Sequence, residues 1–96
     1  MASSSEAFSK FWTWKNSKTW LKVYVIERGQ PEDAYSLRVS GIDEELSLVD
    51  MVGKAPHSFV PFDMTGAEFF LEPGRMVVSR ADVEWLIFEE EEGEQG

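Results

Sequence analysis

Hydrophobic and polar positions alternate with a period of two through much of the chain, and that alternation predicts strands. From Trp20 to Glu27, Leu21, Val23 and Val25 point one way while Trp20, Lys22, Tyr24 and Ile26 point the other. Both sets carry apolar groups, so both faces of this strand are expected to be partly covered. Between Ala34 and Ser40, Tyr35, Leu37 and Val39 alternate with Ser36, Arg38 and Ser40. Phe59-Val60-Pro61-Phe62 reads as a short edge strand, because Pro61 has no N–H for a ladder. Glu68–Glu72 and Arg75–Arg80 flank Pro73-Gly74, a strong turn dipeptide, and predict a hairpin. Val83, Trp85 and Ile87 alternate with Glu84, Leu86 and Phe88 in a last strand.

Two segments depart from this rhythm. Residues 43–53 read as a helix: Asp43 can cap it, Glu44 and Glu45 suit the positive end of its dipole, Leu46, Val49, Met51 and Val52 supply a stripe, and Gly53 can end it. Residues 8–20 hold Phe8, Phe11, Trp12, Trp14 and Trp20. Helical spacing would put Phe8, Phe11, Trp12 and Lys15 on one face. Trp12–Lys15 and Thr19–Lys22, rich in strand formers around Asn16-Ser17, are the better fit to a hairpin. This stretch resembles the designed tryptophan-zipper peptides. The expected fold is mainly β, a small antiparallel sheet or barrel of about six or seven strands with one short helix. A single β-rich domain at 8–88 is expected between a disordered N-terminus (1–7) and an acidic disordered tail (89–96).

Residues 37–88 resemble a class of small uncharacterised bacterial β domains. The matching pieces are Leu48-Val49-Asp50, which that class carries on a short helix, Phe59-Val60-Pro61 on a strand, and Val78-Ser79-Arg80 leading to Val83-Glu84-Trp85 in the closing strand. Ser79 stands where the class has Asn. The resemblance implies a small β sheet or barrel and no particular activity.

Composition narrows the function. The chain has 96 residues, 43% of them hydrophobic, and no cysteine. That suits one domain with a modest core and no disulfide. No apolar run reaches the ~18–20 residues of a membrane-spanning helix. The first residues lack the basic and apolar regions of a secretory signal. A cytoplasmic protein is expected. The net charge of −9 is divided: residues 1–28 carry five basic and two acidic side chains, and the remainder four basic and sixteen acidic.

Catalytic and metal chemistry find little support. His57 is the only histidine, beside Pro56 in a loop, without the spacing of a hydrolytic triad. Asp50, Asp63 and Asp82 could hold a cation only if the fold gathered them, and no segment matches a calcium loop. Neither a cofactor nor a metal is expected. Aromatic rings interleaved with lysines could stack bases, but an acidic remainder repels a phosphate backbone and argues against nucleic acid.

The aromatic surplus points elsewhere. Four Trp, two Tyr and seven Phe are many for one small core. Surface tryptophans serve as binding anchors. The expectation is a non-enzymatic protein-interaction module, an adaptor or assembly subunit in a bacterial cytoplasm. Its partner would be another protein or a second copy in a homo-oligomer. The docking patch would be Trp12, Trp14 and Trp20, rimmed by Lys15, Lys18 and Lys22. Edge pairing through Phe59–Phe62 is a second contact mode. The alternative is a small regulatory barrel that binds a nucleotide or other anion through Arg38, Arg75 or Arg80.

Overall fold

The computed structural model describes residues 2–54 and 59–90. One helix, α1 (Ser4–Ser17), precedes seven strands: β1 (Leu21–Glu27), β2 (Asp33–Asp43), β3 (Leu48–Gly53), β4 (Phe59–Asp63), β5 (Glu68–Glu72), β6 (Arg75–Arg80) and β7 (Val83–Glu89). All seven form one antiparallel sheet in the order β4-β3-β2-β1-β7-β6-β5. Every neighbouring pair is consecutive in the chain except β1 and β7. The fold is therefore mainly β with a single short helix.

The sheet curls. In a flat sheet β4 and β7, four places apart, would lie about 19 Å from each other at ~4.8 Å per strand. Instead the rings of Phe62 on β4 and Trp85 on β7 meet at 5.3 Å, edge to face. The two edge strands, β4 and β5, are joined by only Met64–Ala67, and no ladder connects them among the described residues. Arg80 on β6 spans this seam, with Nη1 donating to the Asp63 carbonyl at 3.0 Å. Both edges are blunted: Pro61 sits on β4, and Ala2 N–H donates to the Phe69 carbonyl of β5 at 2.9 Å.

The concave face holds the core, with Leu21, Val23, Leu37, Met51, Val78 and Ile87 among its buried residues. Helix α1 seals it. Ala7, Phe8, Phe11 and Trp14 fall at helical spacing and are all buried. Phe8 meets Phe11 at 5.9 Å and Phe69 at 6.2 Å, while Phe11 meets Trp14 at 5.8 Å. Each such ring contributes about 1.5–3 kcal/mol by leaving water.

Three expectations are corrected here. The hairpin of residues 12–22 is instead the end of α1 followed by β1. A capping box starts the helix: Glu6 N–H donates to Ser3 Oγ at 3.1 Å and Ser3 N–H to Glu6 Oε1 at 2.9 Å. Lys18 ends it in the left-handed region (φ 55°). The strand propensity of Trp-Thr-Trp yields to burial of the helical stripe. Residues 4–7, expected to be disordered, form the helix's first turn for the same reason. Third, residues 43–53 are not helical. Asp43 ends β2, residues 44–47 turn, and β3 follows. The capping signal of Asp43 is real but serves the turn, because Leu46 N–H donates to Asp43 Oδ1 at 3.2 Å. Val49 and Met51 point inward two apart, while Leu46, which a helix would bury, is 61% exposed. Leu48-Val49-Asp50 thus lies on a strand. His57 and the tail beyond Glu90 lie outside the described residues.

Candidate interaction surface

The cross-strand registers fix which side chains share the convex face, since directly paired residues point the same way. Tyr24 pairs with Leu86, Leu86 with Val77, and Val77 with Phe70. These four make a continuous apolar row across β1, β7, β6 and β5. Toward the Trp20 end lies a second row, Lys22–Phe88–Arg75–Glu72. Toward the opposite end lies a third, Ile26–Glu84–Ser79–Glu68. The face therefore runs from a row of Lys22, Phe88 and the Arg75–Glu72 pair, through apolar, to a row whose charges are the two carboxylates Glu84 and Glu68. No described helix or strand packs over it; α1 lies on the other side, against β2 and β5.

Exposure agrees with this placement. Phe70 is 41% and Ile26 37% exposed, and Tyr24, Val77, Leu86 and Phe88 are half-buried by their neighbours. Tyr24 and Phe88 touch edge to face at 5.9 Å, and the Arg75 guanidinium lies 5.8 Å from the Phe88 ring centre. A shallow groove of about 470 Å³ runs between Lys22, Tyr24, Glu32, Leu86 and Phe88. Arg75 also bonds Glu72, which holds the Glu72 carboxyl below its ordinary value and raises the guanidinium's. Lys22, Glu68 and Glu84 form no ion pair with another described residue.

The sequence placed its docking patch on Trp12, Trp14 and Trp20, and the structure separates them. Trp14 is buried, 1% exposed, and its Nε1 donates to Glu89 Oε2 at 2.8 Å. It belongs to the core and offers no surface, a correction that follows from the helix. Trp12 lies on the outer side of α1, 37% exposed, donating to Glu44 Oε2 at 2.7 Å and stacked by Lys15 at 5.6 Å. Trp20 sits at the convex face beyond Lys22, half-buried beneath Arg38 at 5.6 Å and Lys54 at 4.9 Å. Lys54 in turn reaches Glu90 at 4.0 Å. Of the expected lysines, Lys15 and Lys18 are on or just past the helix, and only Lys22 shares the sheet face.

The three arginines are also apart. Arg38 covers Trp20 on β2, Arg75 holds Glu72 on β6, and Arg80 closes the seam at Asp63. They line no common pocket among the described residues. Asp63 is held below its ordinary value, chiefly by hydrogen bonds from Thr65, with the Arg80 charge adding to the effect. Among the described residues no three His, Asp or Glu side chains converge as metal ligands. No described helix is long and apolar enough to cross a membrane.

Sequence reasoning identified Tyr24 and Ile26 as facing away from Leu21, but not the row they join. That row needs the β1–β7 register, which no local pattern encodes. No protein-family model, curated protein or solved structure matches the chain.

Proposed function

We propose that this chain is a non-enzymatic protein-interaction module, an adaptor or assembly subunit of a bacterial cytoplasm, that docks through the convex face of its sheet. The observation that carries this reading is the apolar row Tyr24–Leu86–Val77–Phe70, over which no described helix or strand packs, set between a margin holding Lys22 and the Arg75–Glu72 pair and an acidic margin. One face of the sheet is sealed by α1, and no described helix or strand packs over the other. A contiguous apolar surface rimmed by charge is the usual character of a protein interface. Aromatic residues, which dominate interface energetics, stand at the two ends of the row as Tyr24 and Phe70 and beside it as Phe88. Trp20 extends the same surface, with Lys22 beside it. The anion-binding alternative has less support, because Arg38, Arg75 and Arg80 are engaged separately.

The test is partner retention from a lysate of the source cell by the immobilised chain, its Leu86→Arg variant and its Trp12→Ser variant, each verified as folded. A partner retained by the wild type and Trp12→Ser but lost by Leu86→Arg supports docking on the sheet. Equal retention by Leu86→Arg refutes it.

A further inference from the structure

We infer that the convex face takes an extended acidic segment of a partner protein, with a carboxylate seated among the cations around Trp20 and a large apolar side chain two residues on in the groove between Tyr24 and Phe88. The inference rests on the docking reading above and names the partner's chemistry. Its basis is a carboxylate that the chain itself already places there. Glu90 lies beside Trp20, to whose carbonyl its N–H donates at 2.9 Å. Its side chain reaches across β1 to β2, where Ser36 Oγ donates to Oε2 at 2.6 Å, and Lys54 Nζ stands 4.0 Å from Oε1. The spot thus accepts a carboxylate, held by a hydroxyl and an ammonium beside an indole.

The spot holds more positive charge than Glu90 uses. The Arg38 guanidinium and the Lys54 ammonium both lie against the Trp20 ring, 5.6 Å and 4.9 Å from its centre, and Lys22 pairs directly with Ser36 across the sheet. Lys22 and Arg38 form no ion pair with another described residue. Three cations against one carboxylate leave a local positive excess on a chain whose net charge is −9. An incoming carboxylate is favoured there, and a cationic segment is repelled. Glu32 borders the groove near Tyr24, next to the Asp33 that pairs with Val25, so the partner's acid faces the Trp20 end.

The groove supplies the second anchor. Lys22 and Phe88 belong to one row of the face, Tyr24 and Leu86 to the next, and the groove of about 470 Å³ lies between them. The Glu90 carboxylate is held at Ser36, in the Lys22 row. One row along a strand is about 6.7 Å, which is also the separation of alternate side chains in an extended chain. A segment of the form Glu-x-Leu laid along β1 therefore sets its acid at Ser36 and Lys54 and its apolar residue against Tyr24 and Leu86. The sheet curls across its strands, bringing β4 round to β7, and a single chain laid along the strands needs no flat surface.

Heteronuclear NMR of the full chain tests this, with the end-blocked peptide Glu-Thr-Glu-Thr-Leu added to about 5 mM, past a dissociation constant on the order of 0.1–1 mM for so small a contact. The expected result is saturable shifts of the Trp20 indole N–H and of the Lys22, Ser36, Arg38 and Lys54 amides, reduced by salt. Lys-Thr-Lys-Thr-Leu should give none of them, and Glu-Thr-Glu-Thr-Ser should bind several-fold more weakly. Lys54→Glu and Lys22→Glu should each weaken binding about fivefold, while Glu90→Gln, which removes the competing charge and keeps an acceptor for Ser36, should tighten it about threefold. Lys54 is exposed, so its variant keeps the test decisive if Lys22→Glu does not fold. Absence of shifts, an equal response to the lysine peptide, or no tightening in Glu90→Gln overturns the inference. So does movement of the same resonances on changing Glu91, Glu92 and Glu94 together to Gln with no response to the peptide, which assigns the site to the chain's own acids. Concentration-dependent broadening of those resonances in the free chain assigns it to a second copy and overturns it too. The docking reading fails separately: a lysate partner lost by Leu86→Arg sustains it without the peptide, and equal retention by Leu86→Arg refutes it whatever the peptide does.

Discussion

Replacing Phe11 by alanine separates a helix that is part of the core from one that merely lies on it. Phe11 is fully buried, between Phe8 at 5.9 Å and Trp14 at 5.8 Å. Truncating such a ring removes its transfer free energy and leaves a cavity, about 3–5 kcal/mol in all. At roughly 0.05–0.15 kcal/mol per residue, a chain of this length has about 5–14 kcal/mol of total stability. The variant should lose about a fifth of that or more, and its Tm should fall by at least about 12 °C. Urea unfolding followed by tryptophan fluorescence measures this, with an unchanged slope confirming that the same surface is exposed. Trp12→Ala is the control. Trp12 is on the outer side of the same helix, and losing its bond to Glu44 and its contact with Lys15 should cost about 1 kcal/mol or less. A loss below about 1 kcal/mol for Phe11→Ala, or a larger loss for Trp12→Ala, would refute the assignment of the helix stripe to the core.

Ser3→Ala should cost about 1 kcal/mol through loss of the N-cap, with helical circular dichroism reduced more than the strand signal. Ala81 is non-glycine at φ 49° in the β6–β7 turn, so Ala81→Gly should stabilise the fold by about 0.5–1 kcal/mol after the added freedom of the unfolded chain is discounted, read from the urea midpoint. Glu72 and Asp63 are both held below their ordinary values, so their contribution is complete above about pH 5 and is lost as pH falls through about 4 toward the lowered folded values. Arg75→Gln should return the Glu72 carboxyl to its ordinary range in an NMR titration and leave Asp63 unmoved.

The strands were legible because alternation is a local signal. Glu68–Glu72 and Arg75–Arg80 match the structure end for end, with Gly74 at φ 74° turning the chain as Pro73-Gly74 foretold. The helix was misplaced for two physical reasons. Asp43 offers its side chain to a turn in the same way as to a helix start, so the cue does not choose between them. At the N-terminus, Ser3 and Glu6 carry a capping box in plain view, followed by Ala7, Phe8, Phe11 and Trp14 at helical spacing. The strand propensity of Trp12-Thr13-Trp14 competes with that signal, and only the tertiary contact with the sheet decides it. The candidate surface was half legible. The alternation of β1 assigned Lys22, Tyr24 and Ile26 to one face, yet their neighbours Phe88, Leu86 and Glu84 come from the far end of the chain.

That same β1–β7 junction governs how the molecule assembles in time. Every other strand pairs with the segment immediately before or after it and can form as a short hairpin. β1 must wait for β7, after nearly all the intervening chain has emerged, before its second side is satisfied, and closing so long a loop makes this the late, slow event. During synthesis the waiting strand presents Val23, Tyr24, Val25 and Ile26 with an unpaired backbone, a template for any similar strand nearby. Crowded nascent chains are thus exposed to exchanging this strand with one another, and a slow ribosome lengthens the hazard.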